Sequence, residues 1–196
     1  IPNCELVTVE NAGHFVHDDN LLAFLAAVKN FFRQKPGDGM TKISIRPMNL
    51  EEAQEVSQFV YGVFDEFIAP DYSDKGICTF KKMNEPGAIE KRNRENHFVL
   101  IAMLDNVMAG VIEIRDSRHI SMLYVDGKYQ NRGIAKSLLT SALDKIRKQH
   151  PKLDVMTVNS SPYGIKAYEK LGFQKIDEEQ VVQGLRFVPM RKCLLN

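Results

Sequence analysis

The stretch richest in chemistry runs from Leu123 to Leu139. Leu123, Tyr124 and Val125 end a strand-like run, a polar loop follows, and Gly133 and Ala135 open a segment with helical apolar spacing. The first turn of a helix carries unpartnered N–H groups at the positive end of its dipole, which suits a pyrophosphate. Gly133 removes the side chain that would hold a phosphate off the backbone, and Arg132 and Lys136 add positive charge. Neither common phosphate fingerprint is present, since GxxxxGK[ST] and GxGxxG are both missing. A helix that merely begins with glycine fits the same spacing, so the loop by itself leaves both readings standing. The other reactive types point nowhere: Cys4, Cys78 and Cys193 are widely spaced, with no CxxC, which argues against a zinc site or a disulfide framework and suits a reducing, cytoplasmic setting.

The elements that must position this loop read as mixed α/β. Lys42 to Met48 is strand-like, and Asn49 with Glu52 three residues on resembles a capping box. The helix it opens carries Ala53, Val56, Phe59, Val60, Val63, Phe64 and Phe67 at helical spacing and stops before Pro70. A second helical region is expected within 73–94, interrupted at Pro86 and Gly87. Three runs, His97 to Leu104, Val107 to Arg115 and Arg118 to Val125, joined by Asp105-Asn106 and Asp116-Ser117, predict an antiparallel meander. Then come a helix from Gly133 to about Gln149, a strand from Leu153 to Val158, a short helix from Pro162 to Leu171, a strand from Gly172 to about Val182, and a last strand from Leu185 to Lys192.

Composition bounds the partners. Lys plus Arg number 26 against 25 Asp plus Glu, a net charge of +1, so no strong overall field recruits nucleic acid or an anionic membrane. With 44% hydrophobic and 26% charged residues, the 196-residue chain has ordinary globular usage and no run long enough to span a bilayer. It starts at Ile1 rather than Met, so the natural start is expected upstream, with a targeting peptide left open.

Set in that order of elements, Gln130-Asn131-Arg132-Gly133-Ile134-Ala135 resembles the [RQ]-x-x-G-x-[GA] acyl-coenzyme A loop of the GNAT superfamily of N-acyltransferases. Val125 eight residues before Gly133, Asn159-Ser160-Ser161-Pro162 after the next strand, and Tyr168-Glu169-Lys170-Leu171-Gly172-Phe173 resemble further parts of the same pattern. The resemblance covers Lys42 to Asn196. It implies an α/β (α+β) GNAT fold, a mixed, mostly antiparallel sheet flanked by helices. It also implies direct acetyl transfer from acetyl-CoA to a primary amine in a ternary complex, with no metal.

Leu123, Tyr124, Val125, Gln130, Asn131, Arg132, Gly133, Ile134, Ala135, Lys136 and Asn159 would then hold the cosubstrate, with the Val125 N–H facing the oxyanion. The resemblance places Tyr168 beside the sulfur as proton donor to the thiolate; Ile165, Tyr168 and Leu171 also make an apolar stripe, the packing alternative. The attacking amine needs a base. His119 shares a strand face with Ser121, Leu123 and Val125 by the period of two; the alternatives are a structural hydrogen bond for His119 and a base role for Glu113 on the neighbouring strand. Phe64, Phe67, Ile68, Asp71 and Tyr72 are the expected acceptor wall, a carboxylate beside aromatics suiting a cationic or aromatic amine, whether of a small molecule or a protein.

The segment before Lys42 reads separately. Residues 36–41 are a linker. Ile1-Pro2-Asn3 through Asn11-Ala12-Gly13-His14-Phe15-Val16-His17 and on to Phe31-Phe32 resembles the last strand, histidine loop and last helix of an α/β-hydrolase. No GxSxG accompanies it, so His14 is expected to be inert and residues 1–35 to be a docking or homodimerising appendage left from a fusion. The alternative function is an idle coenzyme A-binding module fused to a hydrolase.

Overall fold

The computed structural model describes residues 43–194. The βα appendage expected at 1–35, His14 and the linker lie outside the described residues.

The capping box forms: the Asn49 N–H donates to Glu52 Oε2 at 2.8 Å, and the same carboxylate takes the Arg46 guanidinium. It fixes the turn between β1 (Ile43–Pro47) and α1 (Ala53–Phe67). The interrupted region resolves into α2 (Asp74–Met83) and α3 (Pro86–Arg94), because Pro86 is tolerated in the first turn of a helix and nowhere else in it. The meander follows as β2 (His97–Leu104), β3 (Val107–Arg115) and β4 (His119–Val125). Both predicted turns hold two successive positive φ angles, +48° and +65° at Asp105-Asn106 and +50° and +56° at Asp116-Ser117, as a tight hairpin requires.

Beyond it lie α4 (Ile134–Gln149), β5 (Val155–Ser160), α5 (Ile165–Lys170), β6 (Gln174–Lys175), β7 (Gln180–Val182) and β8 (Leu185–Cys193). The single strand expected from Gly172 to Val182 is two short strands, both paired to β8 and parted by Ile176–Glu179. The sheet order is β1-β2-β3-β4-β5-β8-β6, antiparallel except for β4 beside β5.

Two apolar layers cover the two faces. Leu138, Leu139, Ala142 and Ile146 of α4 pack with Ile112, Ile114, Ile120 and Phe173 on one. Val56, Val60 and Phe64 of α1, with Phe80 and Ile89, pack on Val99, Ile101, Val111 and Met122 on the other. Among the described residues no helix is long and apolar enough to cross a membrane.

One irregularity positions everything that follows. Glu113 pairs with Met122 and Ile114 with Ile120, so Ser121 is an extra residue on β4. Such a bulge bends and twists its strand, and β4 stays paired to β5 only at His119↔Thr157 and Ile120↔Val158. Val158 to Ser160 continue alongside β8 while β4 departs, leaving a wedge between the two parallel strands.

Candidate active site

The wedge exposes one backbone edge of β4. The Asp126 N–H bonds Ala109 O on β3, so by the alternation of a strand the N–H and C=O of Leu123 and Val125 face the other way, into the wedge. The loop then turns through Asn131 (φ +59°) and Gly133 (φ +80°) into α4. No side chain caps this helix, and among the described residues nothing takes the N–H groups of residues 133–136. A Cβ on Gly133 would stand in open space, and that backbone conformation strains any other residue. The unpartnered N–H groups, with Lys136, Lys166 and Lys170 lining the same cavity, suit the phosphates of a coenzyme. Arg132 does not line it; its guanidinium lies over the Tyr129 ring at 5.5 Å.

The cavity is about 980 Å³ and runs past the loop to the α1–α2 side of the sheet. It brings together Tyr168, His119, Glu113, Tyr124, Val125, Asn159, Phe64 and Tyr72. Phe67 and Asp71, expected in the acceptor wall, do not line it. Phe67 stacks on Tyr163 with ring centroids 5.2 Å apart, and Tyr163 in turn reaches Gln130 Oε1 at 3.4 Å. It therefore closes over the loop after β4 instead of facing the acceptor, and Asp71 offers only its carbonyl, to Arg186.

The bulge also overturns the shared face of His119 with Leu123 and Val125. An extra residue reverses the alternation: Ile120 lies in the α4 layer, whereas Met122 and Tyr124 lie in the α1 layer, with Leu123 and Val125 back on the α4 side. His119 is thus on the α1 face, beside Arg115, its cross-strand neighbour. Its Nδ1 is 2.9 Å from Thr157 Oγ1. Burial lowers its pKa from 6.5 to about 4, the Arg115 charge adding to the effect. At neutral pH the ring is uncharged and able to accept a proton.

Glu113 is fully buried and bound on both oxygens, by Arg92 at 2.9 and 3.1 Å and by His97 Nδ1 at 2.9 Å. Burial pushes its pKa up, but the hydrogen bonds from His97 and Arg92 and the Arg92 charge outweigh it and hold the carboxyl below its usual range. Tyr168 is buried against Phe173, edge to face at 5.5 Å, and burial drives its phenol pKa up. Tyr124 is shifted the same way, by burial and by the neighbouring Tyr168 and Tyr72.

Among the described residues no fully buried side-chain nitrogen or oxygen lacks a partner. The Tyr168 and Tyr124 hydroxyls and the Nε2 atoms of His97 and His119 have no partner among the described residues and so reach open space, in the cavity these residues line. His97, Arg92, Arg115 and Phe80 are lining residues that sequence reasoning missed, as is the β7–β8 turn with Gln183 and Arg186. No motif marks them; strand register and helix packing bring them in. The hairpin is pinned to α2, where Gly76 and Gly184 approach so closely that a Cβ on Gly184 would sit 2.6 Å from the Gly76 nitrogen, and Thr79 Oγ1 donates to Gln183 O at 2.9 Å.

Comparison with known proteins gives the family and the fold. The acetyltransferase (GNAT) domain pattern matches residues 68–194. The chain belongs to the GNAT acetyltransferase family. Over 143 residues, 72% of this chain and 88% of the other, it is 25% identical to the uncharacterized N-acetyltransferase YafP of Escherichia coli. A GCN5-related N-acetyltransferase from Rhodopseudomonas palustris has the same fold, with TM-score 0.67 at 23% identity, covering 81% of this chain and 99% of that one. So does the PaiA N-acetyltransferase of Thermoplasma acidophilum, solved in complex with coenzyme A: TM-score 0.65, 21% identity, 78% and 99% covered. This GNAT protein is an acetyl-CoA-dependent acyltransferase.

Proposed function

We propose that this acetyltransferase delivers its acetyl group to the nitrogen of a primary amine, by direct attack with both substrates bound. The observation that carries the proposal is the single cavity joining the open edge of β4 and the uncapped start of α4 to a chamber lined by His119, Phe64 and Tyr72. Acetyl-CoA supplies an activated thioester there. The residues 133–136 N–H groups and Lys136 hold phosphate, Asn159 holds the chain on the β5 side, and the Val125 N–H faces the carbonyl oxygen, where a fixed donor stabilises developing negative charge. Tyr168, whose raised pKa keeps its proton in place at any physiological pH, donates to the departing thiolate. His119 accepts the amine proton, directly or through one water. Its low pKa makes it a weak base, so the amine must itself lose affinity for the proton as attack proceeds.

The idle-module alternative leaves the second chamber without a use. The test is release of coenzyme A thiol with a panel of primary amines, tertiary amines serving as blanks. Amine-dependent release that forms the N-acetyl product supports the proposal; release independent of amine overturns it.

A further inference from the structure

Resting on the amine reading above, one feature of the chamber names the acceptor more closely. His97 pairs with Arg115, Arg115 with His119, and His119 with Thr157, so these four residues form one straight row across β2, β3, β4 and β5. Side chains on directly opposed residues stand about 4.5–5.5 Å apart at Cβ. His97, Arg115 and His119 all line the cavity. Each imidazole is tethered through Nδ1, His97 to Glu113 and His119 to Thr157, both at 2.9 Å, which leaves both Nε2 atoms for the chamber.

The charge around this row is one-sided. Glu113 is the one carboxylate lining the cavity among the described residues, and its oxygens are already taken by Arg92 and His97. Arg186 is satisfied by Glu179 at 2.6 Å, outside the cavity lining. Arg115 differs: about half exposed at the mouth of the chamber, it makes only a loose 3.5 Å ion pair with its equally exposed neighbour Asp116, and among the described residues its guanidinium donates no hydrogen bond. A second ammonium group on the acceptor would meet Arg115 and no free carboxylate.

We propose that Arg115, flanked by His97 and His119, binds an anionic group of the acceptor, which is therefore a small primary amine bearing a carboxylate or phosphate near its amino nitrogen. The planar guanidinium presents the paired donors that both anions accept. The amine of such a substrate falls beside His119, one strand away from its own anionic group. Polyamines are disfavoured by the same arrangement.

The experiment compares kcat/KM for short amino carboxylates and phosphoethanolamine with that for their uncharged amide or alcohol counterparts and for spermidine. The expected result is a preference of about 10- to 100-fold for the anionic amines, the range of charge-assisted hydrogen bonds, carried in KM. Arg115→Gln should bring the ratio near one, and R115K should recover part of it. The carboxylate and phosphate arms tell the two anions apart. A preference for neutral amines or spermidine, or a ratio unchanged in R115Q, overturns the proposal while leaving amine transfer intact.

A second measurement does not depend on turnover: inorganic phosphate and acetate are titrated against the imidazole NMR signals of the full chain. Saturable shifts of the His97 and His119 signals in the native protein, absent in R115Q, support the anion site even if no amine is acetylated, in which case only the amine reading falls. Absence of shifts in the native protein overturns the site.

Discussion

The two ends of the cavity are built differently. The end proposed for the cosubstrate is centred on one continuous stretch, β4 through the first turn of α4, with Asn159 and the α5 side chains added from β5 onward, and its core works with backbone: an unpaired strand edge, two positive φ angles and free N–H groups. The end proposed for the acceptor draws on α1, α2, α3, β2, β3, β4 and the β7–β8 turn, and it works with side chains whose partners are far away in sequence, such as Arg92 with Glu113 and His119 with Thr157. A site made of backbone in one segment can be kept with few specific residues. A site made of side chains from many segments can be retuned by single substitutions without disturbing the other end.

Four substitutions break or sharpen that contrast. The largest effect is expected from Gly133→Glu, which puts a carboxylate into the open space above a φ of +80°. Acetyl-CoA binding measured by calorimetry should be lost, and unchanged affinity would remove the phosphates from this loop. Next, Tyr168→Phe should lower kcat by about 10²- to 10⁴-fold with little change in KM for acetyl-CoA. A drop under about threefold assigns Tyr168 to packing.

Glu113→Gln tests the distributed end. It takes the counter-ion from the Arg92 guanidinium, which is 23% exposed beside a fully buried carboxylate, and losing charge-assisted hydrogen bonds of this kind costs about 1.5–3 kcal/mol. Chemical denaturation should register the loss at pH 7, with KM rising for the acceptor more than for acetyl-CoA. The native Glu113 contribution is present above the ordinary carboxylate pKa of about 4.3 and disappears as pH falls through its lower folded value.

The smallest effect is that of His119→Asn on acid stability. The folded pKa of about 4 lies below the unfolded 6.5, so the unfolded chain binds the extra proton between these values and stability falls as pH drops through that window. Denaturation midpoints at pH 7 and pH 4.5 should differ less in the variant than in the native protein. An equal difference would show that His119 does not titrate this way. In turnover the same variant should lose rate at pH 7 and recover part of it at higher pH, where more amine is neutral.

Much of the fold could be read from the chain because its signals are local. Asp105-Asn106 and Asp116-Ser117 announce hairpins through residues that tolerate positive φ, Asn49 and Glu52 announce a helix start, and Gly133 marks where backbone must lie bare. These preferences belong to a few neighbouring residues, and tertiary packing did not override them. The split of the strand after Gly172 was not legible, since β6 and β7 owe their pairing entirely to β8.

What the sequence carried by itself was therefore most of the order of elements, the bare glycine at the start of α4 and the presence of Tyr168 and His119, whose proposed roles are in proton transfer. What only the tertiary structure decided was which way they face and what stands opposite. One extra residue at Ser121 turns His119 away from Leu123 and Val125, opens the wedge beside β5, and sets His119 in line with Arg115 and His97. A bulge is a mismatch between two strands, so it is written in neither strand alone, and a strand's period of two carries no warning of the residue at which it reverses.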